Sequence, residues 1–338
     1  FINKKNKKEN YVEFKDSAYA ANLSYNENYD SNSFKYEYSS LITPPTIYSQ
    51  SFFSKRRKKI WQQKYNNFKE NIYVTSRLLI KGRDGKKIPV SILYKKGINL
   101  ESAPLLIYGY GSYGLIVEPS FKLSFLPLVD DGFIFAIAHV RGGQDLGRDW
   151  YDQGRMMNKM NTFFDFIDCT KELIKLNFGN KENVFAMGGS AGGLLMGAII
   201  NIEPALYKGI VSAVPFVDVL TTMSDESIPL TTFEYKEWGN PSIKEEYFYI
   251  KKYSPYDNIN SNPYPSVLVT SSLFDSQVQY FEPAKYVPKL REYSTSNNPI
   301  LLKMNLIGGH AGKSGRLESL KETAEELSFI THLASKDY

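Results

Sequence analysis

The chain of 338 residues contains a single cysteine, Cys169, and only three histidines, His139, His310 and His332. One cysteine cannot form an intrachain disulfide, and its rarity fits a reducing compartment, so a cytoplasmic location is the expectation. With so few histidines and one cysteine there is no cluster at metal-ligand spacing, and no glycine-rich phosphate cradle occurs; neither metal nor cofactor is expected. No run approaches the roughly 18 consecutive apolar residues of a membrane span, so no membrane partner is expected. Strong charge of one sign is also missing, since the net charge of +5 is spread over Lys- and Asn-rich stretches. The one dense basic run, Lys55-Arg56-Arg57-Lys58-Lys59, reads as a solvated loop or strand edge rather than as a nucleic-acid site. Cys169 lies on a helical pattern and reads as a small packed residue.

What the sequence does have is Gly188-Gly189-Ser190-Ala191-Gly192, placed between a short apolar run (Asn183 to Met187) and a helical one (Leu194 to Ile200). A G-x-S-x-G between strand and helix is a nucleophile elbow, whose sharp turn lifts the serine hydroxyl clear of the sheet. Glycines flank it because a Cβ there would collide with the neighbouring backbone. The strand–turn–helix context makes the short motif informative.

A serine nucleophile needs a base and an orienting acid, which in this architecture follow it in the order Ser, Asp/Glu, His. His139 precedes Ser190, and His332 falls in a C-terminal helical pattern where a packed or surface role is the simpler reading. His310 follows the strand-like Ile300 to Leu306, in the loop Gly308-Gly309-His310-Ala311-Gly312, and is the candidate base. Asp275 is the first carboxylate after the strand-like Val267 to Ser272. Aspartates also serve as plain turn residues, but its place between nucleophile and base favours the acid role. The chemistry expected is acyl transfer through an acyl-enzyme on Ser190.

Around these residues a βα alternation runs through Ile88 to Tyr94, Pro104 to Tyr108, Phe133 to Ala138 and Gly209 to Val214, with helices over 161–178, 279–293 and 316–334. Gly179 is the expected stop of the first of these helices. The pattern implies a mainly parallel, doubly wound sheet of the α/β-hydrolase kind, with the site beyond the strand ends.

Longer motifs follow in order: Tyr108-Gly109-Tyr110-Gly111-Ser112-Tyr113-Gly114, His139-Val140-Arg141-Gly142-Gly143, Val214-Pro215-Phe216-Val217-Asp218-Val219, Glu237-Trp238-Gly239-Asn240-Pro241, Tyr253-Ser254-Pro255-Tyr256-Asp257-Asn258 and Asp275-Ser276-Gln277-Val278-Gln279-Tyr280. On these, from about residue 34 to the C-terminus, the chain resembles the oligopeptidase B branch of the prolyl oligopeptidase family of serine peptidases. The resemblance places nucleophile, acid and base on the same Ser190, Asp275 and His310. It also implies an oxyanion hole made by the Tyr110 hydroxyl and the backbone N–H of Ala191, a kind of preorganised donor pair that contributes strongly to catalysis. Arg141, beside two glycines at a strand end, reads as a structural ion pair rather than a substrate contact.

Residues 1–70 differ in character. Phe1 to Asn32 is polar, Phe34, Tyr36 and Tyr38 alternate as in a strand, and Thr43-Pro44-Pro45-Thr46 makes a turn. The resemblance implies the end of a β-propeller here, with residues 71–338 as the hydrolase domain. Too few residues precede that domain for blades of about 40–50 residues each. A chain that opens on Phe1 in this way is expected to be the C-terminal part of a longer protein, with an upstream propeller as its missing partner and short peptides as its substrates.

Specificity is where the sequence departs from its relatives. The family holds a basic substrate side chain with two glutamates two residues apart; Glu234 matches the first, but Lys236 stands in the second place and Phe233 where glycine is expected. A second acidic subsite falls at Glu118 and Ser120, so one of its two acids is also absent. In an extended segment residues 234 and 236 share a side, so Lys236 is expected to neutralise Glu234 and weaken a preference for Arg or Lys, with Glu237 as the acid that could compensate. Two other readings stand beside the peptidase: a hydrolase-fold module with little activity that acts by binding, and a general serine esterase.

Overall fold

Alternating aromatics build the first of two sheets. The computed structural model describes residues 1–2 and 6–335, among them every candidate site residue. Strands β1 (Tyr19–Leu23), β2 (Ser33–Ser40), β3 (Thr46–Ser51) and β4 (Arg57–Gln62) form an antiparallel meander in that order. Successive side chains of a strand point to opposite faces, so Tyr36 and Tyr38 share the buried face of β2. Tyr36 stacks on Tyr48 of β3, and the Tyr38 hydroxyl donates to Asp16 at 2.6 Å. The basic run ends in β4, an outer strand exposed along nearly its whole length. Lysines on such an edge discourage pairing with a second chain.

The second sheet contains β5 (Tyr73–Lys81), β6 (Lys87–Lys95), β7 (Leu105–Tyr108), β8 (Ile134–Ala138), β9 (Val184–Gly189), β10 (Gly209–Ala213), β11 (Ser266–Ser272) and β12 (Ile300–Asn305). Its order is β12-β11-β10-β9-β7-β8-β6-β5; the pairs from β12 to β8 are parallel and the β5–β6 hairpin is antiparallel. This is the mainly parallel α/β-hydrolase sheet expected from the alternation. Helices α1 (Leu126–Asp130), α2 (Arg148–Asp152), α3 (Met160–Lys175), α4 (Ala191–Ile202), α5 (Val219–Ser224), α6 (Thr231–Trp238), α7 (Lys244–Tyr253), α8 (Phe281–Tyr293) and α9 (Arg316–Ala334) surround it.

The pleat sorts side chains into two cores. Leu105 and Ile107 of β7 join Phe163, Phe166 and Leu195 from α3 and α4 on one face. Leu106, between them, joins Phe135, Leu327 and Ile330 on the other. Leu41 and Ile42, just past β2, belong to this second cluster, so the small sheet shares apolar packing with the large one. Strands buried on both faces read as unbroken apolar runs, which is why β8 and β9 were plain in the sequence.

One boundary moved. Helix α3 stops at Lys175, three residues short of the expected Phe178, because Asn177 takes the left-handed conformation (φ 62°) that ends many helices. Gly179 is also left-handed (φ 122°) but lies beyond the stop.

Candidate active site

The end of β9 turns into α4 through Ser190, whose φ of 57° and ψ of −118° are strained for a residue with a side chain. The glycines around it are required by contact. A Cβ on Gly188 would lie 2.5 Å from the Gly192 carbonyl oxygen, and one on Gly192 would lie 2.8 Å from that of Gly109. The Ser190 N–H donates to Ala213 O of β10 at 2.8 Å, which pins the turn to the sheet. Ala191 opens α4, and the first N–H groups of a helix have no acceptor within it.

Asp275 follows β11 with its side chain fully buried. Its Oδ1 accepts the N–H groups of Gln277 and Val278, both at 2.9 Å, and its Oδ2 lies 2.8 Å from His310 Nδ1. The imidazole is thereby oriented through Nδ1, leaving Nε2 for other work. The histidine loop is braced as well. Asn305 Oδ1 accepts from Ile307 and Gly308, Asn305 Nδ2 donates to Glu322 Oε1 at 2.9 Å, and the Lys313 N–H reaches the same carboxylate at 3.3 Å. Behind this loop lies a cavity of about 250 Å³ lined by His310, Thr270, Lys303, Glu322 and Glu326. Burial pushes the Glu326 carboxyl up to about 7, against the Thr270 hydrogen bond.

Strands β9, β11 and β12 are parallel, so Ser190, Asp275 and His310 emerge from one edge of the sheet. Among the described residues no hydrogen bond joins Ser190 to His310, and such nucleophile–base bonds are commonly long until substrate binds. Tyr110, in the loop after β7, reaches the same place. Its hydroxyl interacts with the Ser190 side chain, and burial raises its pKa to about 12. At neutral pH it is therefore a proton-bearing donor.

The next residues of that loop meet α6. The Tyr113 hydroxyl donates to Glu234 Oε2 at 2.8 Å and its N–H to Glu237 Oε1 at 2.9 Å. Trp238 Nε1 donates to the same Glu234 oxygen at 2.9 Å, and the Tyr151 hydroxyl to Glu237 Oε2 at 2.5 Å. Burial raises the Glu234 pKa, and the hydrogen bonds from Tyr113 and Trp238 oppose that rise. Here the sequence expectation needs correcting. Residues 231–238 are a helix, not an extended segment, so 234 and 236 lie about 200° apart around its axis. Lys236 is exposed while Glu237 is buried; the lysine does not face the Glu234 pocket. Three helices, α5 to α7, fill the stretch between β10 and β11 that carried no strong pattern.

The remaining candidates fall as follows. Glu118 is exposed on the loop after Tyr113, where its Oε1 accepts from Asn22 of β1 at 3.2 Å; no described contact links it to Glu234 or Ser190. Arg141 is buried and paired with Asp165 and Asp84, the structural ion pair expected. Cys169 is fully buried in α3, and His332 is exposed on α9. Sequence reasoning did not single out Tyr113, Tyr151, Lys159, Asn305, Glu322 or Glu326. The spacing of Glu322 and Glu326, one helical turn apart on α9, was the available signal for the last pair.

A strand order of this kind, with a serine elbow after β9 and an Asp–His pair after β11 and β12, defines an α/β-hydrolase. The pattern of the prolyl oligopeptidase family matches residues 119–337, and the chain belongs to that family. It is 48% identical over 322 residues to dipeptidyl aminopeptidase BI of Pseudoxanthomonas mexicana, covering 95% of this chain and 44% of that protein. It is 45% identical over 306 residues to protease 2 of Moraxella lacunata, covering 90% of this chain and 44% of that one. The structure of oligopeptidase B from Leishmania major superposes with a TM-score of 0.90 at 41% identity, covering 96% of this chain and 46% of that one. The resemblance read from the motifs is borne out. The chain spans less than half the length of these relatives.

Proposed function

We propose that this chain carries the chemistry of a serine oligopeptidase acting on short peptides. The observation that carries the reading is a strained serine and a carboxylate-bound histidine leaving one sheet edge together. In this reading Ser190 Oγ attacks the scissile carbonyl while His310 Nε2 takes its proton. The imidazolium, held by Asp275, returns that proton to the leaving amine, and water then hydrolyses the acyl-enzyme by the reverse sequence. The Tyr110 hydroxyl and the Ala191 N–H receive the negative charge that grows on the carbonyl oxygen. Relatives named as a dipeptidyl aminopeptidase, a protease and an oligopeptidase support peptides over simple esters as the substrate class.

A basic side chain before the scissile bond is the proposed preference. Both described hydrogen bonds to Glu234 fall on Oε2, so Oε1 remains as an acceptor for a cation, while both oxygens of Glu237 are engaged. Lys236, being exposed, leaves that preference intact. The four-stranded sheet fits one blade of a propeller, whose remainder would restrict entry to short peptides. A fluorophosphonate probe and a short arginyl peptide test the reading together. Labelling at Ser190 with peptide turnover supports it; labelling without turnover favours the esterase, and no labelling the binding module.

A further inference from the structure

Lys159 immediately precedes α3 and has no exposed surface. Its ammonium donates to Gly111 O at 2.6 Å, to Ser112 Oγ at 2.7 Å and to Gly154 O at 3.2 Å, which uses all three of its N–H groups. It also lies 5.0 Å from the centroid of the Trp238 ring. Burying a charge is costly, and a loop can be packed with apolar residues at less cost. Here burial brings the ammonium down to about 8, and only the Glu237 carboxylate opposes the shift. The charge is therefore kept for geometry that a hydrocarbon could not supply.

That geometry concerns the residues just after Tyr110. Gly111 is left-handed (φ 72°), so its carbonyl turns away from the sheet ladder and toward the lysine. Ser112, also without exposed surface, receives the second bond, and the Thr162 hydroxyl reaches toward the same Gly111 carbonyl at 3.5 Å. The ammonium thus grips both residues that follow Tyr110, whose ring lies against the elbow backbone: a Cβ on Gly192 would be 3.4 Å from Tyr110 Cδ2.

We propose that Lys159 is a positioning residue for acyl transfer, holding the 111–112 backbone so that the Tyr110 hydroxyl stays aimed at the oxyanion. The inference rests on the proposed role of Tyr110. Misplacing a catalytic donor by about 1 Å can cost on the order of a hundredfold in rate. Lys159→Met should therefore lower kcat by roughly 10–100-fold, with KM for a neutral peptide changed far less. A residue that merely keeps the protein folded would not give that split in otherwise fully folded enzyme.

The deciding experiment is a double-mutant cycle in the intact protein, reading kcat and the rate of fluorophosphonate labelling. If Lys159 acts through Tyr110, then Lys159→Met added to Tyr110→Phe costs little further, because the donor it positions is already gone. Effects that multiply, or an unchanged kcat in Lys159→Met, overturn the inference while leaving the Tyr110 role standing. A Tyr110→Phe variant with unaltered kcat overturns that role and this inference together. Should Lys159→Met fail to fold, Ser112→Ala removes one of the three acceptors while the Gly111 and Gly154 carbonyls still hold the ammonium. It should slow kcat by about two- to tenfold, again only while Tyr110 is present; an equal loss in both backgrounds counts against the inference.

Discussion

Ser91 Oγ lies 2.8 Å from His139 Nε2, and His139 Nδ1 lies 2.8 Å from Asp145 Oδ1. These are the contacts of a serine–histidine–aspartate triad, and they occur in a region the motifs never marked as a site. Set beside Ser190, His310 and Asp275, this second array separates what hydrogen bonds supply from what chemistry requires. Ser91 sits in the middle of β6 with no exposed surface, and the His139 side chain is 1% exposed against 17% for His310. Ser91 has an ordinary strand backbone, whereas Ser190 is held at a positive φ that presents its hydroxyl at the sheet edge. The interior array fastens β6 to the loop after β8. The edge array has a carboxylate fixed by two backbone N–H groups and the open position, although no described hydrogen bond joins its serine to its histidine.

The largest effect separates the two serines. Ser190→Ala should abolish probe labelling and reduce peptide hydrolysis by roughly 10⁵-fold or more. Ser91→Ala should leave labelling intact, because no probe reaches it. Mass spectrometry of the labelled peptide decides the matter, and a label on Ser91 would reverse the assignment.

The two aspartates should divide in the same way. Asp275→Asn leaves the wrong imidazole tautomer and should reduce kcat by roughly 10⁴-fold. Asp145→Asn should act on stability instead, costing about 1–3 kcal/mol for a buried group left poorly paired. Thermal melts and kcat on the same preparations test this. A comparable kcat loss from Asp145→Asn, in protein folded at the assay temperature, would mean that the interior array reaches the chemistry.

Much of this was legible in the sequence for a physical reason. Strands buried on both faces must be apolar throughout, so β7 to β11 stood out, and the elbow at Gly188–Gly192 has few alternatives because its backbone tolerates so few. Asp275 and His310 followed from order along the chain. The acid pocket was misread because a short amphiphilic stretch such as Thr231–Trp238 has no decisive period. Its helix is fixed by tertiary contacts, with Trp238 and Glu237 buried against the 113–151 region. Lys159 left no trace, since a lone lysine reads as surface. The interior triad was equally silent, because Ser91, His139 and Asp145 come from strand and loop with no shared pattern.

The corrected pocket gives a smaller, more specific effect. Glu234→Gln should reduce the preference for an arginyl over a matched neutral peptide by more than about tenfold in kcat/KM, the usual scale for losing one partner of a desolvated charge pair. Lys236→Glu should change that ratio little, since residue 236 is exposed on the far side of α6. A large gain in arginine preference from Lys236→Glu would restore the expectation that the lysine faces the pocket.

The smallest effect concerns the cavity behind His310, where the edge array keeps a titrating carboxylate. Glu326 loses its proton in the unfolded chain near the ordinary 4.5, but in the folded protein only at about 7. The groups facing it are Glu322, which raises its pKa, Lys303 and the Thr270 hydroxyl, which lower it, and Tyr108, whose own pKa the Glu326 charge raises. A folded pKa above the unfolded one favours folding while the group is protonated. That contribution is complete below about 4.5 and is lost as the pH rises through about 7. At pH 8 the folded chain therefore holds a poorly solvated charge on α9, close to the loop that presents His310. Glu326→Gln replaces it with a neutral group of the same shape. The variant should melt a few degrees higher than the parent at pH 8, on a scale of about 2–4 °C per kcal/mol for a domain of this size. The gain should shrink at pH 5, where the parent carboxyl is itself largely protonated. Melting curves at the two pH values test the sign as well as the size. A variant less stable than the parent at pH 8 would show that the Glu326 charge is satisfied by Lys303, and that the cavity costs the edge array nothing.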